Sequence, residues 1–374
     1  MDSAIVVGAG TFGASLAWLL AREGVAVTLI DQFEPGDARS TSGGETRLYR
    51  CAHGGDAEYT ASARRGRELW RELEAETGER LLHERGVAWF AHLEDGWEAH
   101  SERALRELDI PVERLDPSEA ARLYPSFVAD DLRFVLLEPE AGAIRAAHAV
   151  RALTAAAQAQ GARVKRARAR PAGHAVELEG SGTKLEAGAV IWACGGWLRD
   201  LFPGLVDLRV TRQELYFLDG GDAWRDVPAW VDYDLAAYGT GDLDDLGVKI
   251  APDVEGPPLG PDDPLPPASP EGEAGARAYA QRRFPALAEA PLRHSICCRY
   301  ELSPDSNFIA APHPVEPGVW IVGGGSGHGF KHGPAFAERI VAALRGTGDL
   351  PDRFGLRERQ PGRSFRTAGS SFEP

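Results

Sequence analysis

Residues 4–31 read AIVVGAGTFGASLAWLLAREGVAVTLID, and this stretch decides the fold of the chain. A β-branched run at its start enters a glycine turn, Gly8-Ala9-Gly10-Thr11-Phe12-Gly13. A helical pattern follows, and a second apolar run, Val25–Ile30, ends beside Asp31. Strand, glycine turn, helix, strand and acid, in this order, are the fingerprint of a dinucleotide-binding βαβ unit. The sequence therefore predicts a bound dinucleotide near the N-terminus.

Each part of this unit has a physical task. Gly8 permits a tight turn, Gly10 lets the backbone approach a pyrophosphate, and Gly13 lets the helix approach the sheet. The helix N-terminus supplies free N–H groups and a partial positive charge. Asp31 would accept hydrogen bonds from ribose hydroxyls and repel a 2′-phosphate. The predicted dinucleotide-binding residues here are Gly8, Gly10, Thr11, Phe12, Gly13 and Asp31.

The same stretch allows a second interpretation, because residues 3–21 are almost wholly apolar. An export signal begins with basic residues, whereas Met1-Asp2-Ser3 carries an acid and no Lys or Arg. The run is also short for a membrane span and is interrupted by glycines. Neither a signal peptide nor a span is expected.

Length and composition limit the class of protein. A chain of 374 residues is long for one core and favours two domains. The net charge of −15 argues against nucleic acid or an anionic membrane as a partner. The four cysteines form no CxxC pair, and the ten histidines form no HExxH motif, so no metal site is expected. A reducing, cytoplasmic location is the expectation.

Further elements can be predicted along the chain. The strand within 189–197 is expected to return to the nucleotide sheet, so that insertions interrupt the first domain. Residues 252–275 are rich in proline, glycine and acids and predict a surface loop. The tail beyond Gly355 is expected to be poorly ordered. Helices are predicted at 59–77 and 146–160, and strands at 86–90, 163–168, 175–178, 215–218, 248–250 and 318–322.

A second glycine loop near the C-terminus is as informative as the first. Residues 323–333 read GGGSGHGFKHG, and a helix is predicted to start at Pro334. Such a backbone can approach a flat ligand, and a helix start favours negative charge, as on a reduced flavin. The alternative is a plain strand–helix turn. The candidate cofactor residues are Gly325, Gly327 and Gly329.

Five short motifs, in order, together resemble the monomeric sarcosine oxidase family of D-amino-acid-oxidase-like flavoproteins. The motifs are Gly8–Gly13, Gly44–Arg50, Leu246–Ile250, Cys298–Tyr300 and Gly327–Lys331, and the resemblance extends over nearly the whole chain, to about Gly355. The resemblance implies an α/β (overall α+β) fold with a Rossmann-type FAD domain from about 1–82, 140–205 and 301–374. A substrate domain with a mixed or antiparallel sheet would comprise 83–139 and 206–300.

The resemblance also implies roles for single residues. Cys298 matches the cysteine that forms a thioether to the flavin and is the candidate for covalent attachment; the alternative is that it lies beside a non-covalent FAD. Lys249 matches the lysine that promotes reaction of reduced flavin with oxygen, where a desolvated cation would stabilise developing negative charge. Arg50 and Lys331 match the pair that holds a substrate carboxylate.

Other positions around the flavin follow from the same resemblance. Arg47 matches an arginine close to the flavin ring, and His328 a histidine at its face. Tyr238 and Tyr300 match active-site tyrosines. For each of these, an ordinary surface or core role is the alternative. The remaining candidate cofactor residues are Gly43, Thr46, Arg47 and Lys331.

The sequence departs from the family pattern on the presumed substrate side. Gly43 stands where a histidine is expected, and His53 where a tyrosine is expected. These changes leave the substrate undefined. Trp89, Tyr216 and Phe217 could line a larger pocket, but core packing is the favoured role of each.

The expected reaction is FAD-dependent oxidation of a C–N bond in a secondary or N-methylated amino acid to an imine, with O2 reduced to H2O2. The alternative on this fold is a dehydrogenase, or an oxidase of a hydroxy acid or sugar alcohol. A flavin-binding protein without turnover and a nicotinamide dehydrogenase are further possibilities. The expected partners are a small amine and O2, with the chain a monomer or small homo-oligomer.

Overall fold

The computed structural model describes residues 1–362 and 364–368, so residues 369–374 of the predicted FAD domain lie outside it. The strands are β1 (Ser3–Val7), β2 (Ala26–Asp31), β3 (Thr46–Tyr49), β4 (Leu82–His83), β5 (Val87–Ala91), β6 (Glu113–Leu115), β7 (Phe134–Glu138), β8 (Gly142–Arg145), β9 (Arg163–Arg166), β10 (Ala169–Ala172), β11 (Ala175–Leu178), β12 (Lys184–Leu185), β13 (Ala189–Trp192), β14 (Arg209–Leu218), β15 (Ala229–Asp232), β16 (Ala237–Thr240), β17 (Val248–Pro252), β18 (Leu292–Leu302), β19 (Ile309–Pro312) and β20 (Val319–Gly323). The α-helices are α1 (Thr11–Arg22), α2 (Ala57–Thr77), α3 (Trp97–Glu107), α4 (Pro117–Ala120), α5 (Ala146–Ala159), α6 (Leu198–Leu201), α7 (Pro270–Arg283), α8 (Pro285–Ala288) and α9 (Gly333–Leu344).

The N-terminal unit forms the centre of a six-stranded sheet in the order β19-β20-β13-β1-β2-β9. β1 pairs in parallel with β2 on one side and with β13 on the other, with Val6 opposite Ile191. The prediction that the strand at 189–192 returns to the nucleotide sheet is therefore confirmed. β20 adds in parallel and β19 antiparallel at the edge, which brings the second glycine loop to the end of the same sheet.

Helix α1 explains the long apolar run at the N-terminus. Every residue from Thr11 to Ala21 is buried, and Trp18 is completely enclosed. A helix that is apolar on all sides belongs in a protein interior, and α1 packs between α5 and α9. Within residues 1–362 and 364–368, helices are either too short or too polar to cross a membrane.

The second large sheet has eight strands in the order β18-β14-β17-β16-β15-β5-β7-β6. β15 and β5 pair in parallel, and the other neighbours pair antiparallel, so the predicted mixed sheet is confirmed. Two three-stranded sheets, β10-β11-β12 and β3-β8-β4, complete the fold. The domain boundaries themselves stay a prediction.

Part of the expected loop 252–275 is helical. Helix α7 begins at Pro270, and the Ser269 hydroxyl accepts a hydrogen bond from the Gly272 N–H. A serine N-cap followed by proline is a strong helix start, and this local signal overrides the composition of the segment. The second glycine loop also differs slightly from expectation, since a 3₁₀ turn, Phe330–His332, precedes α9.

The expectation of poor order beyond Gly355 is wrong for residues 364–368. Ser364, Arg366 and Thr367 are buried. The Tyr233 hydroxyl donates to the Ser364 carbonyl at 3.0 Å, and the Ala368 N–H donates to the Tyr233 carbonyl at 2.9 Å. The order of this segment comes from tertiary hydrogen bonds, which a polar local sequence does not reveal.

Candidate active site

A cavity of about 1200 Å³ lies at the carboxyl ends of the central strands. We call it the glycine-lined cavity, because both glycine loops border it. Crevices at this edge of an open α/β sheet are the usual ligand sites of such folds. Among its lining residues are Gly8, Gly10, Thr11, Phe12, Asp31, Ser42, Arg47, Arg299, Tyr300, Glu301, Gly325, Gly327, Gly329 and Phe330.

The first glycine turn permits contacts that side chains would prevent. Gly8 has a φ of +102°, and a Cβ there would lie 2.3 Å from the Ala193 carbonyl oxygen. A Cβ on Gly13 would lie 1.8 Å from the Gly8 carbonyl oxygen. The helix thus packs directly on the turn, as the motif predicts for Gly13, although Gly13 itself does not line the cavity.

Asp31 fixes the turn from the end of β2. Its carboxylate accepts hydrogen bonds from the Ala9 N–H at 2.6 Å and the Phe33 N–H at 2.8 Å. Burial raises the pKa of this carboxyl above its usual range, while these backbone hydrogen bonds oppose the rise. The acid therefore both shapes the turn and lines the cavity.

Glu301 supports the second glycine loop. Its carboxylate accepts from the Gly325 N–H at 3.0 Å, and its carbonyl accepts from the Ser326 N–H at 2.9 Å. Burial raises the pKa of Glu301 to about 7. Sequence reasoning did not single out this residue.

A second cavity, of about 510 Å³, adjoins the first. The two share four lining residues, Arg47, Tyr300, Gly327 and Phe330, which mark where they meet. We call the second the cation-lined cavity, because Arg47, Arg50, Lys331 and Arg366 border it, together with one acid, Asp253, among the residues that the structure describes. Its other lining residues are Leu48, Val231, Tyr238, His328 and Thr367.

The structure brings Arg50 and Lys331 together on this cavity. The Arg50 guanidinium donates to the carbonyls of Ala52 and, at 2.6 Å, of Phe365. The Lys331 ammonium donates to the His328 carbonyl at 2.8 Å. Burial lowers the pKa of Arg50 to about 10 and moves that of Lys331 well below its usual range. Two desolvated cations on one cavity strongly favour the binding of an anion, which would offset the cost of their burial.

Two buried acids near these cations were missed at the sequence level. Glu138 accepts from the Cys51 N–H at 2.8 Å and the Trp89 indole N–H at 2.8 Å. Asp253 accepts from Arg366 at 2.5 Å and from the Thr367 hydroxyl at 3.1 Å. Burial raises the pKa of each carboxyl, and the neighbouring cations oppose the rise. Neither acid belongs to a motif that could have identified it.

Lys249 lies buried on β17, close to but not on the lining of either cavity. Its ammonium donates to the Thr46 hydroxyl at 3.4 Å and lies 4.7 Å from the centre of the Tyr238 ring. Burial, with the nearby Arg47 charge, lowers the pKa of Lys249 to about 7. Arg47 in turn donates to the carbonyls of Thr41 and Gly43 and borders both cavities.

Two hydroxyls and a histidine face the cation-lined cavity. The hydroxyls of Tyr238 and Tyr300 lie 3.0 Å apart. His328 Nε2 lies 2.9 Å from the Ser306 carbonyl oxygen, so the proton resides on Nε2. Its Nδ1 atom is a buried acceptor with no hydrogen-bond partner in the described part of the chain.

Behind His328, the fold gathers two further histidines that lie far apart in sequence. His53 Nδ1 donates to the Cys51 carbonyl, so its Nε2 atom accepts from His332 Nε2 at 3.2 Å. Candidate ligand nitrogens of the three rings lie within 4.8 Å of one another. Burial and the Lys331 charge lower the pKa of all three well below the usual range. Because His53 and His332 are hydrogen-bonded to each other and Lys331 lies close, we interpret the cluster as three neutral imidazoles packed edge to face or tilted.

Several predicted residues lie outside both cavities. Gly43 packs on the backbone of Asp37, Thr46 contacts Lys249, and Cys298 is buried on β18 beside Tyr300. The three aromatic residues considered for a larger pocket, Trp89, Tyr216 and Phe217, are all buried core residues that belong to neither lining, although the Trp89 ring lies 4.9 Å from the Arg50 guanidinium. Phe217, for example, stacks on His294 with ring centres 4.3 Å apart.

The chain belongs to the DAO family of FAD dependent oxidoreductases, whose family model matches residues 3–344. It is 29% identical to monomeric sarcosine oxidase from Bacillus sp. (strain B-0618) over 367 residues, covering 92% of each chain. It is 27% identical to N-methyl-L-tryptophan oxidase from Yersinia pestis (strain Pestoides F), covering 91% of this chain and 93% of that one. The fold is similar to that of L-proline dehydrogenase from P. horikoshii, with a TM-score of 0.83, 20% identity and coverage of 95% and 96%.

The cofactor is FAD, and the residues of the glycine-lined cavity fit it. The N-terminus of α1 in the turn Gly8–Gly13 would hold a pyrophosphate, and Asp31, on the same lining, would accept hydrogen bonds from ribose hydroxyls. At the other end, the backbone of Gly325, Gly327 and Gly329 offers a surface free of side chains to a flat ring.

Proposed function

We propose that this chain is an amine oxidase that removes two hydrogens from the C–N bond of a secondary or N-methylated amino acid. The observation that carries the proposal is the pair of buried cations, Arg50 and Lys331, on a cavity that meets the FAD site. Bound FAD supplies the two-electron acceptor and the route of those electrons to O2. The products are an imine, which water hydrolyses to an amine and a carbonyl compound, and H2O2.

The first task of the protein is to hold the substrate by its carboxylate. Arg50 donates hydrogen bonds to two main-chain carbonyls, and these bonds fix the position of its guanidinium on the lining of the cavity. Lys331 is held by the His328 carbonyl and retains further N–H donors. A carboxylate between them forms charge-assisted hydrogen bonds and neutralises desolvated charge. The C–N bond is thereby oriented towards the residues that the two cavities share.

The second task is to keep the substrate nitrogen neutral, because oxidation needs its lone pair. Four cations and one acid line the cavity. Nearby positive charge and low dielectric both lower the pKa of a bound amine. The same residues that attract the carboxylate therefore favour loss of the amine proton.

The third task falls to Lys249. Its buried ammonium lies within reach of Thr46 and is electrostatically coupled to Arg47, which borders the shared boundary of the cavities. A fixed cation in a dry environment stabilises negative charge developing on oxygen without solvent reorganisation. We assign Lys249 to the oxygen half of the reaction and Arg50 and Lys331 to the amine half.

Cys298 is the proposed point of covalent attachment of FAD. It lies two residues from Tyr300 on β18, so both side chains face the same side of the sheet, and Tyr300 borders both cavities. Burial raises the pKa of its thiol, while Arg47 and Lys249 oppose the rise. After acid precipitation, yellow colour should stay with the wild-type protein and with Cys297→Ser, and appear in the supernatant for Cys298→Ser. Colour in the wild-type supernatant would contradict attachment.

Peroxide release across a substrate panel tests the reaction. N-methylglycine and other N-methylated amino acids should yield peroxide, whereas hydroxy acids and sugar alcohols of matched size should not. Turnover only with an artificial electron acceptor would indicate a dehydrogenase instead, and peroxide only from hydroxy acids would overturn the amine assignment.

The free state of all four cysteines agrees with the proposed reducing, cytoplasmic location.

A further inference from the structure

The C-terminal segment 364–368 places an arginine with unused donors in the cation-lined cavity. Arg366 is only 5% exposed. Its Nη1 atom donates to Asp253 at 2.5 Å, but its Nε and Nη2 atoms are buried and have no hydrogen-bond partner within residues 1–362 and 364–368. A buried guanidinium that leaves two donors unsatisfied is costly unless a ligand completes it.

The two unused donors have a defined geometry. The N–H bonds of Nε and Nη2 point in the same direction along one edge of the guanidinium, and this edge matches the two oxygens of a carboxylate. The opposite edge faces Asp253, and the Arg366 guanidinium carbon lies 4.6 Å from the centre of the Tyr300 ring. Arg366 is thus held by Asp253 and by the Tyr300 ring, while the donors on its other edge have no hydrogen-bond partner among the described residues.

The segment that carries Arg366 is firmly attached. Arg50 donates to the carbonyl of Phe365, and the Thr367 hydroxyl donates to the Asp253 carboxylate. On the other side, the second glycine loop approaches so closely that a Cβ on Gly327, where φ is +71°, would lie 2.2 Å from Arg366 Cδ. Arg50 thus contacts the residue directly before Arg366, and both arginines line the same cavity.

Charge points to the same kind of ligand. Among the described residues, four cations and one acid border the cavity, and the buried Glu138 carboxylate also acts on Arg50, so a substrate with one carboxylate would leave one positive charge unmatched. We propose that Arg366 binds a second carboxylate of the substrate, and that the enzyme prefers N-substituted amino acids with an acidic side chain of aspartate or glutamate length. This inference rests on the proposed amine oxidation and specifies its substrate class.

A matched pair of substrates tests the proposal. N-methyl-L-glutamate and N-methyl-L-glutamine differ only in the second carboxylate, which the amide replaces. The wild-type enzyme should favour the acid in kcat/KM by about 10- to 100-fold, the range expected for a charge-assisted hydrogen-bonded pair. Equal kcat/KM values for the two compounds would overturn the inference.

Three variants test whether Arg366 causes the preference for the acid over the amide. Arg366→Lys keeps a charge for Asp253 but loses the parallel donors, so the preference should fall by about 10-fold. The double variant Asp253→Asn/Arg366→Leu removes both members of the ion pair together and should abolish the preference. Arg357→Leu, a control at an exposed position on the same tail whose partner is Asp305, should keep the preference of the wild type. Persistence of the preference in the double variant would overturn the inference.

Ligand binding without turnover separates this inference from the proposed function. Glutarate should raise the Tm of the FAD-loaded protein more than butyrate does, and the double variant should lose this difference. If no amine is oxidised but glutarate still stabilises through Arg366, the reaction is wrong and the dicarboxylate site stands. If N-methylglycine is oxidised and glutarate gives no greater shift than butyrate, only the dicarboxylate site is wrong. Loss of bound FAD in Arg366→Lys, with the preference unchanged, would place Arg366 on the cofactor and overturn the inference.

Discussion

The two cavities that meet at Arg47, Tyr300, Gly327 and Phe330 are built in opposite ways. The glycine-lined cavity depends on backbone shape, set by short local motifs at the ends of neighbouring strands. The cation-lined cavity depends on charged side chains from distant segments, among them Arg50, Asp253 and Arg366. Local motifs therefore reveal the cofactor, whereas on the substrate side they reveal Arg50 and Lys331 but not Asp253 and Arg366, which the fold adds.

This difference implies that backbone changes should be most damaging in the first cavity. Gly8→Ala would place a Cβ 2.3 Å from the Ala193 carbonyl at a φ of +102°, and we expect loss of nearly all bound FAD. The ratio of flavin absorbance to protein absorbance measures the effect. Gly24→Ala is the matched control, because its φ is also positive (+80°) but its Cβ would meet nothing within 4 Å. Equal FAD loss in both variants would contradict a specific role for the turn.

Charge removal should instead damage the second cavity. Lys331→Met should lower kcat/KM for N-methylglycine by about 10- to 100-fold through loss of a charge-assisted hydrogen bond, with FAD content unchanged. Steady-state kinetics at equal flavin loading measures this change. Lys165→Met, at an exposed position on β9, serves as the control. An unchanged kcat/KM in Lys331→Met would remove Lys331 from the substrate site.

Substitution of Lys249 should slow the reaction of reduced FAD with oxygen and leave the reduction of FAD by the substrate almost unchanged. Because burial lowers its pKa to about 7, the ammonium form predominates below that pH and is lost above it. The rate constant for reaction of the reduced enzyme with oxygen should therefore fall as the pH rises through about 7. Lys249→Met should lower this rate constant by about 100-fold and remove the pH dependence, with little effect on anaerobic reduction by substrate. Equal slowing of both half-reactions in stopped flow would contradict the assignment.

The smallest effect is expected at the boundary of the cavities. Tyr238→Phe removes one neutral hydrogen bond, to the Tyr300 hydroxyl at 3.0 Å, and should lower kcat/KM by no more than about 10-fold. Tyr124→Phe removes a buried hydroxyl that donates to the Ala229 carbonyl, far from the site, and controls for stability. A loss as large as that of Lys331→Met would show that the hydroxyl pair acts directly on the substrate.

The sequence predicted elements with strong local signals. The βαβ unit, the strand at 189–192, the mixed sheet and the helices near 59–77 and 146–160 all formed as expected. The N-cap signal at Ser269 is present in the sequence, but the proline-rich composition of the residues before it led to the prediction of a loop, and helix α7 was missed. Residues 364–368 could not be predicted, because their order depends on Tyr233, Asp253 and Arg50 rather than on their own propensities.

The same distinction applies to the site. Resemblance to a family identified Arg50, Lys331 and Tyr300, which the fold brings to one cavity. Glu138, Asp253, Glu301 and Arg366 belong to no motif, and nothing in their neighbourhoods distinguishes them from surface charges. Only their burial distinguishes these residues from surface charges, and burial is known only once the chain is folded.

Anaerobic addition of N-methylated amino acids to the FAD-loaded protein tests the central claim most directly. If the cation-lined cavity presents an amino acid to FAD, the flavin absorbance should bleach, and admission of O2 should restore it with release of H2O2. A flavin that stays oxidised with every N-methylated amino acid, yet bleaches with hydroxy acids of the same size, would contradict the proposed amine chemistry.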